Sequence, residues 1–235
     1  MDTHRIAELL VPFLEANDQR LTTNDCIYKH ISTYIDILLR WNARINLTAI
    51  RDPEEIVTRH FGESLFAARH LFPHVYPVPP VPSVLKDFDS ANDQRPATND
   101  RLADLGSGAG FPGVPIKLWA PNVALTLIES NHKKATFLRE VTRALTLTDV
   151  DIQNVPAETL PPSTFDLVTL RAVERLSTVL PVAASLLVPG GRLSLLISSS
   201  QLETVRATLP TFTWSPPIQI PNSQSRILST GQINS

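Results

Sequence analysis

The chain has 235 residues, 43% of them hydrophobic, and a net charge of −2. This length allows one sizeable domain with an accessory segment, and the charge argues against a strongly basic nucleic-acid coat without excluding a local basic patch. Its one cysteine, Cys26, excludes an internal disulfide and a cysteine-based zinc site. We see no signal peptide and no apolar run of the roughly 18 residues that a membrane span needs. We therefore expect a cytoplasmic protein with no membrane partner and no metal.

The first 76 residues are predicted to form a helical cap. Apolar residues recur at three- and four-residue steps from 27 to 41, which places them on one helix face. Asp52 and Pro53 indicate the start of another helix, because the acid can cap free N–H groups and proline fits the first turn. This helix is expected to end before Pro73.

Residues 77–100 are rich in proline and lack a hydrophobic period, so we predict a linker or insertion. From 101 to 235 strand and helix patterns alternate, which predicts an α/β domain with a mostly parallel, twisted sheet and helices on both faces. Cap and body are expected to form one structural unit. The predicted strands are 101–105, 124–129, 150–155, 165–170 and 192–197, and the predicted helices are 112–119, 132–145, 173–187 and 200–209.

Two features are predicted near the end of the sheet. Pro189, Gly190 and Gly191 indicate a turn that leads into the fifth strand. The segments 212–214 and 226–228 could supply a closing antiparallel pair.

Glycines follow the first predicted strand at Gly106, Gly108 and Gly110, shortly after Asp104. Three glycines in five residues weaken an ordinary turn, so we favour a ligand that approaches the backbone closely over a turn without a ligand. The next helix would direct its free N–H groups toward that ligand. The dinucleotide fingerprint has its third glycine where this chain has Phe111, which disfavours a dinucleotide oxidoreductase. The observed spacing resembles motif I of S-adenosylmethionine-dependent methyltransferases.

Ligands of such sheets bind beyond the carboxyl ends of the strands. Glu129 follows the second strand, where an acid can bind both ribose hydroxyls, although it could instead cap the next helix. Ala157 and Glu158 follow the third strand, where they could contact an adenine edge, although Glu158 could be a solvated acid. Arg171 ends the apolar fourth strand, where an unpaired charge is costly. It therefore either faces the cleft or pairs with an acid such as Glu174.

Lys133 and Lys134 lie in the first turn of a predicted helix, at the positive end of its dipole. Cations cost stability there, which invites a phosphate partner, although a solvated face is an equal alternative. The chain contains no clear nucleophile–base pair and no P-loop lysine. A methyltransferase that acts on a ring nitrogen with an in-plane lone pair needs no such groups. Correct orientation of the two substrates and a suitable electrostatic environment can suffice for the transfer.

Several segments together resemble the glucose-inhibited division protein B family, bacterial enzymes that form 7-methylguanosine in 16S ribosomal RNA. The resemblance covers about 34–197. The Phe-Pro-Gly-x-Pro continuation after the glycines is its most discriminating part. The other matching segments are 41–48, 52–65, 134–139 and 171–172.

This resemblance implies a class I methyltransferase fold, S-adenosylmethionine as cofactor, and 16S ribosomal RNA or the small ribosomal subunit as partner. Arg171 is expected to serve both cofactor and guanine and is the predicted catalytic residue. The predicted cofactor-binding residues are Gly106, Ser107, Gly108, Phe111, Glu129, Ala157, Glu158 and Arg171, and the predicted RNA-binding residues are Lys133, Lys134, Arg139 and Arg59.

The chain departs from the family pattern at three places. Glu63 stands where the family commonly has aspartate, Ser198–Gln201 replaces a lysine-glycine pair, and the proline-rich segment is longer. Two other hypotheses remain open at this point: a methyltransferase acting on a small molecule or protein, and a non-catalytic nucleotide-binding or ribosome-assembly module.

Overall fold

A computed structural model of the protein describes residues 1–14, 25–73, 100–171 and 175–233. The predicted linker at 77–100 therefore lies outside the described residues except for Asp100, and Glu174 lies outside them as well. No helix in these ranges is long and apolar enough to cross a membrane.

The cap is helical in its described parts except for the connection at 43–52. Asp52 starts the third helical segment as predicted, because its carboxylate accepts the N–H of Glu55 at 3.0 Å. This segment continues to Leu71 and ends before Pro73, but it contains a π-helix that the sequence did not predict. The elements are α1 (Thr3–Leu10), a 3-10 turn (Val11–Phe13), α2 (Asp25–Asn42), α3 (Pro53–Glu55), the π-helix (Ile56–Gly62) and α4 (Glu63–Leu71).

Strands and helices alternate in the body, as predicted. In chain order they are β1 (Arg101–Leu105), α5 (Gly113–Trp119), β2 (Ala124–Ile128), α6 (His132–Ala144), β3 (Val150–Gln153), a 3-10 turn (Ala157–Thr159), β4 (Phe165–Arg171), α7 (Leu176–Ser185), β5 (Leu187–Ser198), a 3-10 turn (Ser199–Gln201), α8 (Leu202–Thr208), β6 (Phe212–Trp214), β7 (Ile218–Gln219) and β8 (Arg226–Ile233).

The strands form one sheet in the order β3-β2-β1-β4-β5-β8-β6, with β7 paired to β8. Strands β1 to β5 are parallel to one another, whereas β8 is antiparallel to β5 and β6 is antiparallel to β8. This confirms the α/β prediction and the closing antiparallel pair. The strand order reverses between β1 and β4, which is where open sheets of this kind bind ligands.

The predicted turn at Pro189 to Gly191 is wrong. Strand β5 runs through this segment from Leu187, which pairs with Phe165 of β4, while Arg192 pairs with Leu167. The pairing therefore moves two residues along β4 but five residues along β5. The extra residues of β5 form a bulge in the ladder. Gly190 adopts a positive φ of 75° there, a conformation that glycine accepts readily.

The two faces of the sheet bury different groups of elements. Along β1, Leu102 packs into the core shared with the cap, α5 and α6, whereas Ala103 and Leu105 pack with α7 and α8 on the other face. This alternation is the period of two expected of a strand. The cap is further tied to α6 because the Trp41 indole N–H donates to Glu140 at 2.8 Å. The cap and the body thus share one apolar interior.

The Asp52 cap gives a test of local stability. We expect Asp52→Ala to lower the free energy of unfolding by about 1 kcal/mol, because the N–H of Glu55 loses its acceptor. Asp52→Asn keeps an acceptor at the same position and is the matched control. Urea unfolding followed by circular dichroism measures both. An equal loss in the asparagine variant would mean that the charge, and not the hydrogen bond, stabilises this helix.

Candidate active site at the carboxyl ends of the parallel strands

The three glycines of the loop after β1 all adopt positive φ angles. Gly106, Gly108 and Gly110 have φ angles of 71°, 55° and 83°, which other residues rarely adopt. A Cβ atom added to Gly106 would have no neighbour within 4 Å. The loop therefore leaves open space beside Gly106 at the end of β1.

Asp104 anchors both ends of this loop. Its carboxylate is buried and accepts the N–H of Gly113 at 3.1 Å and the hydroxyl of Thr169 at 3.2 Å. The Ser107 hydroxyl donates to the backbone carbonyl of Asp104 at 2.7 Å. Burial raises the pKa of Asp104 to about 6, although these hydrogen bonds oppose the shift. The buried acid thus joins β1, the first residue of α5 and β4.

Glu129 holds the loop from the side of β2. One carboxylate oxygen accepts the N–H of Gly108 at 2.9 Å, and the other accepts the N–H of Asn131 at 2.8 Å. The N-cap of α6 is Asn131, whose side chain accepts the N–H groups of Lys133 and Lys134. Glu129 is therefore not the helix cap. A carboxylate has roughly four acceptor positions, so it retains capacity for further donors.

A cavity of about 390 Å³ opens beside these groups. It brings together Gly106, Glu129, Ala157 and Glu158 from the ends of three strands. The remaining predicted cofactor residues, Ser107, Gly108, Phe111 and Arg171, lie outside its lining.

Phe111 packs against the cap. Its ring stacks on Tyr34 at 5.3 Å and on His60 at 4.7 Å between centroids, and it meets Phe61 edge-on at 5.1 Å. The Tyr34 hydroxyl also donates to the backbone carbonyl of Ala109 in the glycine loop. The Phe111 ring is thus part of the interior between cap and loop.

Arg171 ends β4 and contacts the cap as well. Its guanidinium donates to the backbone carbonyl of Arg59 and to the Glu63 carboxylate at 3.2 Å, and its Cζ lies 5.9 Å from the centre of the Phe111 ring. Burial lowers the pKa of Arg171 to about 10, which still leaves it charged at neutral pH. The pairing with Glu174 lies outside the described residues.

Glu63 and Arg226 belong to this site but were not among the predicted site residues. The Glu63 carboxylate, 2% exposed, accepts from Arg59 at 3.2 Å and from Arg226 Nε at 2.8 Å, in addition to Arg171. Arg226 is the first residue of β8 and lies opposite Ser198, the last residue of β5. Two signals were present in the sequence: Glu63 departs from the family pattern, and Arg226 is the charged residue that opens the closing strand.

The predicted RNA-binding residues lie in separate places. Lys133 is exposed and Lys134 half-buried in the first turn of α6, while Arg139 lies farther along that helix beside β3. Arg59 is instead on the π-helix, 45% exposed, next to Arg171. Among the described residues no group of three or more His, Cys, Asp or Glu side chains could hold a metal ion.

Solved structures share this architecture. A predicted O-methyltransferase from Agrobacterium tumefaciens is similar with a TM-score of 0.52 and 23% identity, over 58% of this chain and 75% of that one. An S-adenosylmethionine-dependent methyltransferase from Aquifex aeolicus has a TM-score of 0.50 and 14% identity, over 57% and 82%. Strand order and likeness together define a class I methyltransferase fold.

The family follows from the sequence comparison. A family model described as GidB, rRNA small subunit methyltransferase G, matches residues 27–75 and 86–216, and the chain belongs to this family. This confirms the resemblance drawn from the motifs. Proteins named ribosomal RNA small subunit methyltransferase G from Xylella fastidiosa (strain 9a5c) and Xanthomonas campestris pv. campestris (strain B100) are 40% and 37% identical over 161 residues, 68% of this chain. The match spans 64% of the length of these relatives.

The environment of His60 predicts a pH dependence of stability. Burial, with the charges of Arg171, Arg59 and Arg226, lowers the pKa of His60 to about 3. The unfolded chain therefore takes up this proton first as the pH falls below about 6.5, so stability is lost on acidification. Between pH 7 and pH 5 we expect wild type to lose about 2 kcal/mol more free energy of unfolding than His60→Gln.

The comparison isolates His60 because Asp104 titrates in both proteins. Thr48→Val is the control: it removes the partner of His60 Nε2 but keeps the imidazole, so it should retain the wild-type pH slope. Urea unfolding at the two pH values measures all three proteins. Identical slopes in wild type and His60→Gln would refute the assignment.

Proposed function

We propose that the protein transfers a methyl group from S-adenosylmethionine to the seven-position nitrogen of a guanosine in 16S ribosomal RNA. The observation that carries this proposal is the cavity that joins the glycine loop at Gly106, the acid Glu129 and the turn at Ala157 and Glu158, in a member of this family. Names of the relatives supply the RNA class. We place the activity in the cytoplasm, with ribosomal RNA or the small subunit as partner.

The residues around the cavity fit this cofactor. Gly106 leaves open space for a ligand beside the backbone, and Glu129 keeps free acceptor positions for ribose hydroxyls. Ala157 and Glu158 would contact the adenine edge. S-adenosylmethionine supplies an activated sulfonium methyl group when it is bound. Ser107 and Gly108 would contribute indirectly, since they hold the loop in shape.

The acceptor nitrogen has an in-plane lone pair and needs no general base. The protein's task is then to orient the guanine and to tolerate the charge that moves during transfer. Arg171 lies at the switch point beside the glycine loop, where it could donate to the guanine. His60, with its lowered pKa, is neutral at pH 7 and adds no positive charge beside Arg171.

The test uses radiolabelled S-adenosylmethionine and small ribosomal subunits from cells that lack this enzyme. We expect label at one guanosine, mapped as 7-methylguanosine by reduction and chain cleavage. Gly106→Val should abolish transfer by filling the space beside the loop, and Arg171→Met should lower kcat. Cofactor binding is measured separately by calorimetry.

The outcomes separate the competing functions. Methyl transfer only to small molecules or proteins would instead support a methyltransferase with a substrate other than RNA. Cofactor binding without transfer to subunits, naked RNA or other acceptors would support a non-catalytic module and contradict the proposal. Activity on RNA should also fall with salt, because phosphate contacts release counterions.

Charge reversal at the start of α6 tests the proposed RNA surface. We expect Lys133→Glu with Lys134→Glu to weaken RNA binding at least tenfold and to reduce the slope of log K against log salt by about 1.4, because each of two lost phosphate contacts removes roughly 0.7. Cofactor affinity should stay unchanged. Filter binding at several salt concentrations and calorimetry provide the two measurements.

The matched control reverses Arg192, which lies in β5 where it begins to pair continuously with β4, and Arg206, which lies in the last turn of α8. Both positions lie toward the amino-terminal ends of the parallel strands, because a crossover helix runs back against the strands. The control changes the net charge equally and should keep wild-type RNA affinity. Equal losses of RNA and cofactor affinity in the lysine variant would contradict this division of roles.

A further inference from the structure

Glu63, Arg59, Arg171 and Arg226 form a group of unbalanced charge, which we name the arginine cluster. Within the part of the chain that the structure describes, three guanidinium groups surround one carboxylate, so the cluster carries a net charge of +2 (three minus one). Asp104 also acts on Arg171 electrostatically, but the sum stays positive even when that acid is ionised. Positive charge held away from water is costly unless it is paired.

Two donors in the cluster lack acceptors. Arg171 Nε and Arg226 Nη2 are buried and have no hydrogen-bond partner within the described ranges. The side chains of Arg171 and Arg226 are 7% and 20% exposed, so water satisfies little of their hydrogen-bonding capacity. Buried donors without acceptors are rare in folded proteins. These two donors therefore have room for a negatively charged acceptor that the described residues do not supply.

The cluster lies at the ligand-binding edge of the sheet. Arg171 ends β4, and Arg226 lies opposite the last residue of β5. Arg59, at 45% exposure, connects the cluster to solvent. The cofactor cavity is lined by residues at the ends of β1, β2 and β3 and by α7, and none of the three arginines lines it. A ligand of the cluster would therefore enter from the solvent beside Arg59 and not through the cofactor cavity.

We propose that the arginine cluster binds a phosphate group of the RNA strand beside the methylated guanosine, with Arg226 as a phosphate-binding residue. This inference rests on the proposed function. Guanidinium groups present paired N–H donors that match phosphate oxygens, and one phosphodiester would lower the net charge from +2 to +1. Glu63 holds the three guanidinium groups in place. The bound phosphate would position the RNA strand so that the guanine lies against Arg171.

The first test compares Arg226→Gln with Arg192→Gln. Both remove one positive charge, but Arg192 lies in β5 at the opposite edge of the sheet, near Asp100. We expect Arg226→Gln to bind small-subunit RNA roughly tenfold more weakly, because it loses one charged hydrogen bond to the phosphate. Its salt slope should fall by about 0.7, while cofactor affinity stays within about twofold. Arg192→Gln should behave as wild type.

The second test uses inorganic phosphate as the probe. Thermal unfolding is followed in sodium phosphate and in sodium chloride of equal ionic strength. Wild type and Arg192→Gln should gain a saturable rise in melting temperature with phosphate, because a ligand of the folded state stabilises it. Arg226→Gln should lose this rise. An equal rise in all three proteins, or none in wild type, would overturn the site.

Further outcomes separate this inference from its alternatives. If Arg226→Gln lowers cofactor affinity as much as RNA affinity, the bound anion is the cofactor carboxylate and the phosphate assignment is wrong. If wild type methylates no RNA, the proposed function fails. If wild type methylates RNA, and Arg226→Gln does so with an unchanged KM and an unchanged response to phosphate, only this inference fails.

If Arg226→Gln does not fold, Arg226→Lys is the deciding variant, because it keeps the positive charge but loses the paired N–H donors. An RNA affinity of Arg226→Lys equal to that of wild type would overturn the proposal.

Discussion

The contact between Tyr34 and the glycine loop is the constraint on which the site depends. The Tyr34 ring stacks on Phe111 and its hydroxyl binds the carbonyl of Ala109, so the helix α2 fixes the loop from outside the sheet. A Cβ at Gly110 would approach the Tyr34 oxygen to 2.3 Å, which leaves no room for a larger residue. The loop geometry is therefore a joint property of cap and body, and cap residues Arg59 and Glu63 complete the site beyond it.

The π-helix lies where the cap contacts the end of β4. A π turn takes in one more residue than an α turn, so it rotates the residues after it relative to those before it. Within this wider segment the Arg59 carbonyl accepts a hydrogen bond from Arg171, and Glu63 begins the next α-helical turn at the same place. Short π segments are rare and occur often at functional sites. Here the segment brings a backbone acceptor and a carboxylate to one arginine.

The parts of the site that are local in sequence could be predicted, and the parts formed by distant elements could not. Gly106 and Glu129 follow successive strands, so the strand pattern, together with the rule that ligands bind at the carboxyl ends of parallel strands, placed them together. Arg226 meets Glu63 only through the pairing of β8 with β5, and no periodicity specifies that register. The π-helix was missed because hydrophobic spacing was read with the α-helical period. The bulge at Gly190 was missed because its residue types are those of a turn.

The separation of Glu63 and Arg226 has a consequence for how the protein is made. The two residues are 163 positions apart, so at ordinary translation rates roughly 10 to 30 seconds pass between their incorporation. During that interval the cap can fold against the emerging sheet, but Glu63 lacks the partner that approaches it most closely. The arginine cluster therefore assembles only after β8 has left the ribosomal exit tunnel, and a nascent chain that already contains the whole glycine loop still has an incomplete site.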